Sequence, residues 1–264
     1  MKHTPIAVAV TIAAAAGIGL AARAGGEKVA FPEGFEKGVL YATVDRHDVK
    51  QYRELWASKA AVDAVRAGKP APSGTVLTLV QYKAVVDDKG VPKRGADGKF
   101  QRGDLLAYTV MEKRSGWGAE YADDLRNGEW EYQAFTAERR VNEKANLKSC
   151  FQCHKPHAGQ DYVISLARLA GTAPGARVDA RAAPGVVAVA DFLFGPETVE
   201  IKAGQKVTWI NTDDSPHQVT LTGKGTRTAV MLKGQSTDLL FDGPGVYDYI
   251  CGLHPNMKGK VEVK

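Results

Sequence analysis

Hydrophobic and polar positions alternate, or β-branched and aromatic residues crowd together, over much of the chain, and both patterns predict strands. Thr75 to Val86, Asp104 to Arg114, Trp117 to Tyr121 and Glu129 to Ala137 are read as strands, the last two joined by the turn Arg126-Asn127-Gly128. Asp88-Lys89-Gly90 and Ala96-Asp97-Gly98 mark residues 87–103 as a long hairpin connection. Val49 to Val65 carries Tyr52, Leu55, Trp56, Ala60 and Val62 at mixed three- and four-residue spacings, which predicts a helix, and the Gly/Pro run at 68–74 ends it. Phe31 to Phe35 is read as an extended lead-in, and Asp161 to Leu169 as a terminal helix. Beyond residue 185 the elements shorten. Val199–Lys202, Val207–Ile210, Val246–Ile250 and Val261–Lys264 are short strands set apart by Gly and Pro turns, the pattern of an all-β sandwich. Between the halves, Gly171 to Gly185 has little to bury and two Pro-Gly steps, so it is read as a linker.

The opening stretch departs from these patterns. Lys2 and His3 precede an uncharged, alanine-rich run that ends in Ala22-Arg23-Ala24, the form of a secretory signal peptide spanning 1–24. An uncleaved anchor is the alternative, and the weak apolarity of alanine disfavours it. The expected organisation is a signal peptide (1–24), a first domain (25–170), a linker (171–185) and a second domain (186–264). The chain is expected to be periplasmic, exported in a bacterium, with no membrane span after cleavage. Cleavage removes Lys2 and Arg23, so the net charge falls from +5 to +3. So small an excess, without a basic cluster, gives no reason to expect a nucleic-acid partner.

An exported chain with three thiols would ordinarily suggest a disulfide and a spare. Two of them instead lie in Cys150-Phe151-Gln152-Cys153-His154, a C-x-x-C-H run. That spacing presents two sulfurs to one haem edge and leaves His154 as proximal iron ligand, predicting a single covalently attached c-type haem. Zinc would want a second Cys/His pair nearby, and a redox dithiol a βαβ context; neither is present. The third thiol opens Cys251-Gly252-Leu253-His254-Pro255-Asn256-Met257. With His217 one strand upstream, Cys251, His254 and Met257 make the His₂Cys set with a weak thioether that suits a single type 1 copper.

Residues 185–264 resemble a cupredoxin of the amicyanin and pseudoazurin kind, through Val207-Thr208-Trp209-Ile210-Asn211, Ser215-Pro216-His217, Tyr247-Asp248-Tyr249-Ile250-Cys251 and the ligand loop. The resemblance implies an eight-stranded Greek-key sandwich that shuttles single electrons, with His254 near an exposed edge where partners dock. Residues 31–168 resemble the cytochrome P-460 and cytochrome c-prime-beta family through Tyr52-Arg53-Glu54-Leu55, Pro72 to Leu77, Gly116 to Tyr121 and the Cys150–His154 run. That resemblance implies a mostly antiparallel β fold with flanking helices. It also implies hydroxylamine oxidation where a lysine is cross-linked to the haem, and binding of nitric oxide or similar gases where it is not. The fold class is therefore mainly β with some α.

Face logic supplies the remaining candidates. Lys83 ends the face bearing Leu77, Leu79 and Gln81 and is the candidate cross-link. Glu112 shares a side with Leu106, Tyr108 and Val110 and is the candidate general base. Arg53 is a possible donor to a bound ligand, though a helical arginine beside Glu54 is usually solvated. Met111, His157 and His47 are the available sixth haem ligands. Core packing is the simpler role for Met111, and a surface place for His157. Trp117 and Trp130 are read as core. The expected function is oxidation of hydroxylamine or a related nitrogen species, with electrons passing through copper to a soluble periplasmic partner. Its alternative is a non-enzymatic gas-binding or relay fusion.

Overall fold

The computed structural model describes residues 28–172, 183–223 and 225–264. The proposed signal peptide and most of the proposed linker lie outside them. No helix among the described residues is long and apolar enough to cross a membrane.

Five strands in chain order, each antiparallel to the next, build the first sheet: β1 (Val39–Arg46), β2 (Gln51–Ala57), β3 (Val76–Ala84), β4 (Arg102–Lys113) and β5 (Trp130–Thr136). Both faces of this sheet are covered. On one, Leu77, Met111, Trp130 and Tyr132 pack with residues of three short helices, α1 (Lys59–Arg66), α2 (Lys148–His154) and α3 (Leu166–Leu169). On the other, Val80, Tyr108, Val110 and Phe135 pack beneath Val29, Phe31 and Phe35.

Several expected elements change. The helix expected over 49–65 is a strand to Ala57, and only α1 is helical, capped where Ser58 Oγ accepts from the Ala61 amide. With apolar residues on both faces, β2 produces the irregular spacing that imitates a helix. The expected strand at 117–121 is turn, with Gly118 at φ 80°. Asp161 and Tyr162 adopt φ 51° and 58°, so the expected helix over 161–169 is confined to α3. The lead-in runs into a 3₁₀ turn at Phe35–Lys37, and β1 has no counterpart in the sequence reading.

The second half is a two-layer sandwich of β6 (Val186–Ala190), β7 (Leu193–Gly195), β8 (Thr198–Ile201), β9 (Gln205–Asn211), β10 (Val219–Leu221), β11 (Ser236–Phe241), β12 (Gly245–Cys251) and β13 (Lys258–Val263). The sheet orders are β10-β12-β13-β8 and β11-β9-β6-β7. Trp209 and Tyr249, fully buried with centroids 5.2 Å apart, lie at the centre of the core between them. The two halves touch: Val44 of β1 packs on this second core, and Arg168 of α3 pairs with Asp214.

Two candidate metal centres on one cavity

A cavity of about 310 Å³ opens between the first sheet and α2 and extends to the second domain. Leu77 and Leu79 of β3, Met111 of β4 and Tyr132 of β5 give it an apolar wall, and Cys150, Cys153 and His154 line it from α2. Helical spacing puts the two sulfurs on one side, one turn apart. His154 Nδ1 donates to the Tyr162 carbonyl at 2.7 Å, which leaves Nε2 as the free lone pair. The left-handed turn at Asp161 and Tyr162 positions that carbonyl. Burial holds the imidazole down at about 4, so the ring is neutral at physiological pH. Burial also pushes the Cys150 thiol up to about 11 and raises Cys153. So little thiolate does not suit a redox dithiol. A neutral, oriented imidazole, two adjacent thiols, an apolar wall and the guanidinium of Arg53, able to pair with a carboxylate, together fit a haem.

The second centre lies in the loops of the sandwich. His217, Cys251 and His254 bring their ligand atoms within 4.8 Å of one another, with Cys251 Sγ 3.6 Å from Nδ1 of each histidine. Met257 is buried beside them and its amide donates to the His254 carbonyl, closing the loop tightly. Burial opposes ionisation of Cys251, but hydrogen bonds with His217 and His254 outweigh it and hold the thiol down at about 5. The Gln218 amide donates to the same sulfur at 3.5 Å. Asp213 Oδ2 accepts from His217 Nε2 at 3.0 Å, so Nδ1 is the atom turned to the thiolate. A thiolate, two oriented imidazoles and a thioether in a closed pocket are a soft donor set that fits copper.

The two centres share the cavity, since His254, Phe192 and Asp214 from the sandwich line it together with the Cys150–His154 run. His254, which the cupredoxin resemblance places near an edge for outside partners, here lines a cavity of the chain's own first domain.

The other candidates divide. Arg53 is on a strand, not a helix, and lines the cavity. Its guanidinium donates to Gln51 Oε1 at 2.8 Å and Gln81 Oε1 at 3.3 Å; burial, with Arg46 nearby, holds it down at about 9. Met111 lines the cavity and belongs to the core as well. Glu112 is buried on the opposite face of the sheet, bound to Arg114 Nε at 2.5 Å, and does not line the cavity. Its alternation was read correctly, but this sheet has two apolar faces and Glu112 is on the one beneath Phe31 and Phe35. Lys83 is exposed, beyond the irregularity in β3 pairing that follows Gln81, and also lies outside the lining. His157 is buried, not at the surface. His47 packs against Phe100, away from the cavity. Trp130 is fully buried, while Trp117 is only partly so. The sequence reading missed Arg46, Phe192 and Asp213, which no motif marks.

A family model for Cytochrome P460 matches residues 32–165, and one for the Cupredoxin-like domain matches residues 162–263. Amicyanin-alpha of Methylorubrum extorquens is 44% identical over 105 residues, 38% of this chain and 88% of the relative. Amicyanin of Paracoccus denitrificans is 37% identical over 84 residues, 30% of this chain and 64% of the relative. The crystal structure of amicyanin from Paracoccus versutus shares 34% identity, covering 35% of this chain and 92% of that one, at a TM-score of 0.30.

Proposed function

Because the chain belongs to the cytochrome P460 family and carries a cupredoxin-like domain behind that part, it is a haem–copper redox protein, and we propose that it binds a small nitrogenous molecule in the haem cavity and exchanges electrons with its own copper site. The observation carrying this reading is the shared cavity, lined by Cys150, Cys153 and His154 on one side and His254 on the other. In this reading 25–170 is the haem domain and 186–264 the copper domain, exported to the periplasm, where a soluble redox partner exchanges electrons with them.

Cys150 and Cys153 hold a single c-type haem and His154 is its proximal ligand, with the Tyr162 carbonyl fixing the tautomer. His217, Cys251, His254 and Met257 hold one type 1 copper. When bound, the haem supplies an iron able to bind a small molecule and the copper a one-electron store. Arg53, anchored by Gln51 and Gln81, presents a guanidinium donor to whatever occupies the cavity. The apolar wall from Leu77 and Leu79 excludes water there.

Among the described residues no lysine lines the cavity, and its only carboxylate, Asp214, is already paired with Arg168 and Lys233. This supports binding of nitric oxide or a similar gas over oxidation of hydroxylamine, since the cross-linking lysine and the base are both missing from the wall. The nearby copper, an electron sink, favours the hydroxylamine reading as the second. Anaerobic addition of each compound to the oxidised, copper-loaded protein separates them. Nitric oxide is expected to shift the haem band at stoichiometric amounts, and hydroxylamine to bleach the blue copper band no faster than in copper-loaded, haem-free protein. Haem-dependent, catalytic bleaching by hydroxylamine would establish the second reading instead.

A further inference from the structure

The two-residue turn between β6 and β7 is Asp191-Phe192, with φ 51° and 58°. A hairpin turn of this hand favours Asn-Gly, and a phenylalanine in the left-handed region costs on the order of 1–2 kcal/mol. The chain keeps a bulky ring where glycine would relax the turn, and the ring has specific neighbours. Arg46 of β1 places its guanidinium carbon 3.8 Å from the Phe192 ring centroid. That guanidinium is held in place by a two-point pairing with Asp48, at 2.7 and 2.6 Å. The same phenyl ring meets the imidazole of His254 edge-on at 4.9 Å and that of His217 at 5.4 Å. Asp213 ties the turn to the copper ligands: its carboxylate accepts from the amides of Asp191 and Phe192, at 2.6 and 2.9 Å, and from His217.

We propose that Phe192 is the positioning residue that couples the two redox sites, a phenyl wedge clamped between Arg46 of the haem domain and the two histidines of the copper domain. The local strain is tolerated because the ring is the packed contact between the domains at the point where His254 enters the cavity. The guanidinium–ring contact in a partly desolvated setting adds a cation–π attraction that an aliphatic side chain would not supply. This inference rests on the reading that one chain holds both metals beside one cavity.

The test uses the fully oxidised protein with haem and copper bound, and reads the electron-spin relaxation of copper(II), which a nearby paramagnetic ferric haem accelerates. Phe192→Leu and Arg46→Met are each expected to reduce that acceleration severalfold while leaving the blue band and the copper g values unchanged. Phe192→Tyr, which keeps the ring, should retain it, and the double variant should lose no more than either single one. Arg46→Met lies outside the copper domain, so it carries the test even if Phe192→Leu does not fold. Wild-type relaxation in Arg46→Met, or in a folded Phe192→Leu, would overturn the proposal while leaving the two-metal reading intact. If copper in the wild-type protein relaxes as it does in haem-free protein, the shared-cavity reading fails and this proposal fails with it.

Discussion

Arg53 and Asp213 show how single side chains set the chemistry of each site. Arg53 is half-buried and forms no salt bridge with a carboxylate among the described residues, its donors taken up only partly by two glutamine oxygens. Arg53→Gln is therefore expected to weaken an anionic or hydrogen-bond-accepting ligand of the haem by about tenfold, near 1.4 kcal/mol, in a titration followed at the haem band; unchanged affinity would remove Arg53 from the ligand site. For Asp213 the expectation is a pH profile. In metal-free protein, burial lowers His217 but the Asp213 and Cys251 hydrogen bonds outweigh it and hold the imidazole above its ordinary value. Burial likewise raises Asp213, yet His217 and two backbone amides keep its carboxyl below its ordinary range. The raised imidazole stabilises the fold below its unfolded value and loses that contribution as pH rises through the folded one. The depressed carboxylate stabilises above its unfolded value and loses that contribution as pH falls through the folded one. The Cys251 thiol, held down at about 5, gains stability over the range in which His217 loses it, so metal-free protein should lose stability chiefly toward acid pH, and Asp213→Asn should flatten part of that acid limb with a loss of about 1.5–3 kcal/mol at neutral pH. Thermal melts across pH check this, and an unchanged profile in the variant would contradict it.

At the scale of elements, the candidate metal-ligand runs stand out in the sequence because each packs its donors into a few consecutive residues. Cys150 to His154 occupies one helix, α2, and Cys251 to Met257 one loop between β12 and β13. Elements whose meaning depends on a distant neighbour were not legible. The spacing in 49–57 mixes residues of two covered faces, so a strand resembled a helix. Glu112 was placed on the correct face of β4, but only the tertiary structure shows that this face packs beneath Phe31 and Phe35, not on the cavity. Glu112→Gln and Lys83→Met should accordingly leave haem-ligand affinity within twofold of wild type, less than about 0.5 kcal/mol. The same titration checks this, and a larger loss in either variant would return that residue to the site. Phe192 gave no signal because its role rests on a strained turn and on Arg46, about 150 residues earlier.

For the whole molecule, the decisive feature is that His254 of the candidate copper set lines the haem cavity, while Gly252, Leu253, Pro255 and Asn256 beside it stay exposed. Besides Phe192, the contact is held by Asp214, which pairs across it with Arg168 of α3 and is steadied within its own domain by Lys233 at 2.7 Å. These groups are partly exposed, so salt should weaken the clasp. Asp214→Ala is expected to raise the radius of gyration in solution scattering at physiological ionic strength, and high salt to do the same to wild type; equal values throughout would mean that apolar contacts alone hold the domains. The central claim, two metals in one chain working across one cavity, is tested most directly by reducing the haem with a light pulse and following the blue copper band. One electron leaving the haem should appear on copper as bleaching, at a rate independent of protein concentration. A rate that scales with concentration, or no bleaching at all, would contradict the account.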